Sequence, residues 1–358
     1  MNVKFLLAVG TLAGTIIGAG IFALPYIFKA AGLASGFFYL ALAAAAYIAV
    51  YLMYAEIILK NAGDHRFVGY VRMYLGKGLS GLAVLMTIVE MILVLTIYLI
   101  LSQSFGNLIT AYGSGLDKMI IFWLLGSAAI FVGLRRIAWL EFLITAGLIA
   151  IILFIFVLGL PKLSFSPEAP WINFKNFFLP LAPVLFALSG RVAIPAVVRL
   201  SGDFKKAIVA GLLISAVVYA VFVVSVLAIS PTVSPDAVSG LAGYAPAGIL
   251  AIIGIFGILS LISSYITIGF DVYKSLELDL LWPDWLKFLA VVLGPLTLYF
   301  LGLQNFLGLI SFTGGIFLAL EGILIIWMWL RAAQKKLSLP IILLLSIFIV
   351  ALVYEMVK

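Results

Sequence analysis

The residues able to do chemistry in this sequence are few: two glycine-bearing stretches and three charges set deep in apolar runs. The first stretch is Thr11-Leu-Ala-Gly-Thr-Ile-Ile-Gly-Ala-Gly-Ile-Phe-Ala-Leu-Pro25, in which Gly14, Gly18 and Gly20 interrupt an otherwise apolar segment. Each glycine weakens a helix by roughly 1 kcal/mol relative to alanine. In hydrocarbon, freed N–H and C=O groups persist only where they face protein, water or a bound ligand. The stretch therefore predicts a discontinuous helix whose opened backbone binds something. Gly14-x-x-x-Gly18 also has the spacing of close helix packing.

A second stretch repeats the pattern. Gly20-Ile-Phe-Ala-Leu-Pro25 returns as Gly190-Arg-Val-Ala-Ile-Pro195, just after Phe186-Ala-Leu-Ser189. Paired interrupted segments in corresponding halves of a membrane chain point to a transporter's binding site. Two broken helices offer backbone donors and acceptors a few ångströms apart, which is what a zwitterion needs.

The isolated charges divide into two groups. Glu56 precedes Lys60 by four residues, Glu141 follows Arg135 and Arg136, and Asp271 precedes Lys274 by three, spacings that read as pairs near a membrane boundary. Glu90 and Glu321 lie deeper, roughly 18 Å and 15 Å along their helices from the nearer end. Arg191 opens the half-helix after the second break, where the dipole disfavours a cation. A mid-membrane arginine without a partner costs at least about 3 kcal/mol, so Arg191 is expected to pair with Glu90 or Glu321. A static lock between spans and a part in ion coupling both fit such a pair.

These groups must be positioned by membrane spans. Hydrophobic residues make up 66% of the 358 and charged ones 10%, where soluble domains carry about 25% charged. No cysteine is present and His65 is the one histidine, so thiolate chemistry and multi-histidine metal sites are excluded. Eleven spans are expected, near 5–31, 34–60, 78–111, 118–134, 138–160, 174–200, 205–229, 245–277, 285–301, 303–330 and 338–357. If the N-terminus is cytoplasmic, fifteen lysines and arginines fall on the inner side and five on the outer. That places the N-terminus inside and the C-terminus outside, and assigns the net charge of +7 to membrane orientation rather than to nucleic acid. The inner segment 61–77 reads as an interfacial helix packed at the membrane surface, and the outer segment 230–245 as an ordinary turn-rich connection.

The predicted fold is thus an all-α membrane protein forming one domain, 1–358. Residues 1–160 make a first five-helix repeat, 172–330 a second in inverted orientation, and 338–357 an extra helix. The first and sixth spans are the broken ones.

The segments Gly14-Thr-Ile-Ile-Gly-Ala-Gly-Ile-Phe-Ala-Leu-Pro25, Leu52-Met-Tyr-Ala-Glu56 and Phe186-Ala-Leu-Ser-Gly-x-x-x-x-Pro195 resemble the amino acid/auxin permease family. The likeness is to its bacterial aromatic and hydroxy amino-acid permease branch, within the amino acid–polyamine–organocation superfamily. The resemblance covers nearly the whole chain and implies a LeuT-type fold in a prokaryotic plasma membrane. It implies that the N–H groups of Ala19 and Gly20, in the break opened at Gly18, receive a substrate carboxylate. The carbonyls of Ile16, Phe186 and Ala187, with the Ser189 hydroxyl beside Gly190, would hold the ammonium group. It further implies a sodium site from the carbonyls of Gly14 and Ile17 with Ser260, Ser263 and Ser264. Related permeases often have histidine near Arg191, so the arginine is a departure that removes a proton shuttle.

The reading that follows is a secondary transporter of a small neutral or aromatic amino acid. It would need no cofactor beyond its coupling ion, sodium or proton, with the lipid bilayer as its other partner. Residues 138–160 contain no lysine to stand in for sodium, which favours the ion itself, whereas the bacterial branch is generally proton-driven and Glu90 could carry a proton. Exchange and channel conduction are the competing functions. An enzyme ranks last, since no Gly-x-Ser-x-Gly or His-Glu-x-x-His motif occurs.

Overall fold

The computed structural model describes residues 3–61, 65–132, 137–159, 170–230, 232–244, 246–278 and 280–358. Every regular element among them is helical. Among the described residues, seven helices are long and apolar enough to cross a membrane, and one bent pair makes an eighth candidate.

That bent pair is the first glycine stretch. Helix α1 (Val3–Ile16) and α2 (Leu24–Ala31) flank a 3₁₀ turn at Ala19–Ala23, with a 48° bend between the arms. The α1 ladder ends where the Ile17 N–H donates to the Ala13 carbonyl at 2.8 Å. Gly18 then leaves helical space at φ −134°, ψ −146°. Pro25 falls in the first turn of α2, where its missing N–H costs no helical bond.

The chain continues through α3 (Leu33–Lys60), the short α4 (Phe67–Leu75), α5 (Lys77–Ile109), α6 (Gly115–Val132) and α7 (Ile137–Gly159). Then comes the second stretch: α8 (Leu181–Ala187), a 3₁₀ turn at Arg191–Ala193 and α9 (Ile194–Leu200), again with proline in the first turn. Next are α10 (Phe204–Ile229) and α11 (Ala247–Leu278). One π turn joins α12 (Asp284–Phe288) to α13 (Gly294–Phe300), and another joins α14 (Phe306–Phe312) to α15 (Ala319–Ala333). The chain ends with α16 (Leu339–Val357).

The broken segments form the centre. Over the 18 most apolar consecutive residues of the span Leu181–Leu200, 72% are buried, against 22% over those of α16, which lies outside against α15. Helix α1 packs on α7, α9 and α10, and α11 runs along α5.

Several expectations are corrected. The helix expected from 174 starts at Leu181, because Asn173 and Asn176 use their side-chain amides on the Ala30 carbonyl at 3.0 and 3.2 Å and Pro180 takes the cap position. Segment 230–244 is no plain connection, since Ala237, Val238 and Leu241 are buried and Asp236 accepts from Ser104, Ser234 and Ser239 at 2.5–2.6 Å. Glu56 and Lys60 do not pair. Helix α15 packs on α3 and offers each a better partner: the Trp329 indole N–H donates to Glu56 at 2.7 Å, and Lys60 donates to the Ala332 carbonyl at 3.0 Å. Asp271 pairs with Arg66 rather than Lys274, which reaches one turn on to Glu277 at 2.5 Å. The side chains of Arg135, Arg136 and Glu141 lie outside the described residues.

Candidate functional site

The two breaks lie against each other. A Cβ added to Gly20 would meet the Ala187 Cα at 2.5 Å, and one on Gly190 would meet the Ile16 side chain at 2.6 Å. Each break thus seats its glycine on the chain of the other. Gly18 differs: its nearest neighbours would be the Tyr98 hydroxyl at 3.6 Å and the Ser264 hydroxyl at 3.8 Å, ordinary contact distances.

Between the breaks is a cavity. Ile16, Gly18, Ala19 and Gly20 line it from the first, and Phe186, Ala187, Ser189 and Gly190 from the second, with Glu90, Arg191 and Glu321 in the same wall. The cavity has a volume of about 60 Å³. All eight residues expected to contact substrate, and the three deep charges, are therefore brought together.

Tyrosines hold the broken backbone, and the sequence reading missed them. The Tyr219 hydroxyl on α10 lies 2.6 Å from the Ile16 carbonyl oxygen and 2.8 Å from that of Ala187. With one hydrogen it donates to one of them at a time. Tyr51 accepts the Gly190 N–H at 2.5 Å, and Tyr47 donates to the Leu185 carbonyl at 3.0 Å. The available signal was three tyrosines inside apolar spans: a buried phenol seeks a partner, and a broken helix has spare groups to supply one.

Arg191 is paired with Glu321, both side chains being at most 7% exposed, and its guanidinium carbon lies 4.5 Å from the centre of the Phe67 ring. Glu90 lines the cavity without joining that pair. Toward the end bearing α4, a smaller cavity is bounded by Tyr54, Phe67, Thr87, Arg191, Asp271 and Ser275. There the Arg66–Asp271 pair ties the residue preceding α4 to α11. The helix expected in segment 61–77 is present as α4, but Phe67, Val68, Tyr70 and Val71 are buried, so it packs into the protein.

Gly14, Ser260, Ser263 and Ser264 surround a third void, with Thr15, Tyr98, Thr145 and Thr267. Ile17 is buried but does not line it. The threonines were missed, although Thr145 lies 3.0 Å from a Cβ built on Gly14. Such a wall of neutral oxygens and no carboxylate suits a hard monovalent cation. Among the described residues no cluster of histidine, aspartate and glutamate could hold a metal ion.

The model of the tryptophan/tyrosine permease family matches residues 1–356. The chain belongs to that family. Membership makes it an integral membrane permease. The fold of this permease is shared with MhsT, solved in complex with L-phenylalanine, at TM-score 0.71 and 15% identity over 100% of this chain and 97% of that one. Mhp1, a nucleobase-cation-symport-1 family transporter solved with bromovinylhydantoin, follows at TM-score 0.65 and 13% identity, covering 98% and 91%. The Eremococcus coleocola manganese transporter also scores 0.65 at 13% identity, covering 99% and 85%. These neighbours establish a LeuT-type fold. No curated protein matches the sequence significantly.

Proposed function

We propose that this permease is a secondary active transporter of a small zwitterionic amino acid, neutral or aromatic, working by alternating access under a cation gradient. One observation carries the reading: residues of both chain breaks face a single buried cavity. The N–H groups of Ala19 and Gly20 lie just beyond the last rung of the α1 ladder, where a substrate carboxylate finds unspent donors. The family description and the L-phenylalanine held by MhsT favour an aromatic side chain. A cavity of about 60 Å³ admits such a substrate only when the surrounding helices move, as alternating access requires.

The architecture we assign is eleven spans, five plus five inverted plus one, with a cytoplasmic N-terminus and an external C-terminus. Contacts between ends support it. Lys60 with Ala332 and Arg66 with Asp271 join segments placed inside, whereas Asn173 with Ala30 and Lys118 with Thr110 join segments placed outside.

Sodium is the coupling ion we favour, held where Gly14, Ser260, Ser263 and Ser264 meet, with Thr145 and Thr267 as added oxygens. Glu90, acidic and facing the central cavity, supports the proton as the second reading. Uptake of L-tryptophan and L-tyrosine into proteoliposomes tests both. The proposal expects saturable uptake that needs a sodium gradient and falls sharply in Ser263→Ala, Ser264→Ala. Full uptake in sodium-free buffer under a proton gradient, lost in Glu90→Gln, would decide for the proton. Conductance far above turnover rates would mean a channel.

A further inference from the structure

Two acidic side chains and one basic side chain face the central cavity, and the pairing among them is uneven. Arg191 is taken by Glu321 and covered by the Phe67 ring. Glu90 is left, buried to 9% exposure in the middle of α5, on the helix face that also turns Val94 and Tyr98 toward the void. An ionised carboxylate without a counter-charge at that depth is costly. A second observation concerns the carbonyls that the resemblance assigns to a substrate ammonium. The Tyr219 hydroxyl lies within bonding distance of those of Ile16 and Ala187, and its one hydrogen already occupies one of the two.

We infer that Glu90 is the receptor for the substrate's ammonium group, and that it makes this site select an amine. The inference rests on the proposed function and deepens it. With a zwitterion in place, each charge has a partner: the carboxylate meets the N–H groups of Ala19 and Gly20, the ammonium meets Glu90, and Arg191 keeps Glu321. Tyr219 need not leave the backbone it holds, so the two breaks stay joined while cargo enters and leaves. Glu90 then contributes specificity, and the coupling ion is left to the serine- and threonine-lined void.

The test compares three probes on the purified full-length protein: L-tryptophan, indole-3-propionate, which lacks the amino group, and tryptamine, which lacks the carboxylate. The wild type is expected to bind L-tryptophan about tenfold or more tightly than indole-3-propionate, the scale of one charge-assisted contact. In Glu90→Gln that preference collapses toward unity, because the loss falls on L-tryptophan and tryptamine and spares indole-3-propionate. Glu90→Asp keeps the charge at a shorter reach, so it weakens L-tryptophan more than indole-3-propionate and remains informative should the glutamine variant fail to fold. Equal weakening of both probes in either variant overturns the inference. So does a Glu90→Gln protein that keeps the full preference and loses only proton-driven accumulation, which would make Glu90 a proton carrier. A wild type that transports L-tryptophan without preferring it to indole-3-propionate sinks the inference alone. One that binds none of the three removes the aromatic amino-acid reading along with it.

Discussion

Gly20 and Ala187 touch through their backbones: a Cβ on Gly20 would stand 2.5 Å from the Ala187 Cα and 2.9 Å from its Cβ. The contact is between main chains, so no side-chain rotation relieves it. Gly20 is therefore needed to let the two breaks approach.

Gly20→Ala is expected to cost about 1–3 kcal/mol, the range for overpacking, and Gly20→Val more. Gly18→Ala, which meets the Tyr98 and Ser264 hydroxyls and the Ile16 carbonyl oxygen at 3.6–3.9 Å, should leave the fold intact. Thermal unfolding in detergent checks the order. A Gly20→Val protein as stable as the parent would show that the breaks can separate freely.

Arg191 and Glu321 should behave as one unit. Arg191→Ala alone leaves a buried carboxylate and is expected to destabilise by about 3–5 kcal/mol. A double-mutant cycle should show strong coupling to Glu321→Gln and much weaker coupling to Glu90→Gln. The reverse ranking would contradict the pairing seen here.

The sequence makes the breaks legible but not this pair. Glycine and proline punctuate a helix through backbone geometry alone, so Gly18, Gly20, Pro25 and Pro195 mark both breaks without tertiary knowledge. The repeated motif then places both at one level, and the cavity forms there. The facing of Glu90 and Glu321 is another matter. A helix apolar on nearly every side has no polar stripe to show which way an acid points, and the choice between two partners for Arg191 is made by packing. Tyr219 is hidden for the same reason, since its two acceptors lie 203 and 32 residues away in the chain. Glu56 and Asp271 show the opposite error. Local i,i+3 and i,i+4 spacing suggested partners, while the neighbouring Trp329 and Arg66 supplied stronger ones.

Tyr219→Phe removes the only hydrogen that serves the Ile16 and Ala187 carbonyls from α10. A loss of about 1–3 kcal/mol is expected, the cost of leaving a buried acceptor unsatisfied. The melting temperature should drop with no loss of helix content in the folded protein. Unaltered melting would mean that water or a neighbouring group replaces the hydroxyl.

At the end bearing α4, Asp271→Asn should loosen closure by freeing Arg66. Because the chain has no cysteine, a single Ser275→Cys probe reports on the small cavity there. It should be labelled slowly by a hydrophilic maleimide in the parent and faster in the Asp271→Asn background. Equal rates would show that the ion pair does not limit access.

Tyr98, Thr15 and Ile268 each form part of the wall of both the central cavity and the serine- and threonine-lined void. The two compartments have no independent boundary on that side. A ligand that shifts the shared wall in one changes the volume and polarity available in the other, and thermodynamic reciprocity fixes the exchange. The factor by which a cation tightens cargo must equal the factor by which cargo tightens the cation. A substitution at Tyr98 that alters one of these factors must therefore alter the other equally, whichever site it appears to favour.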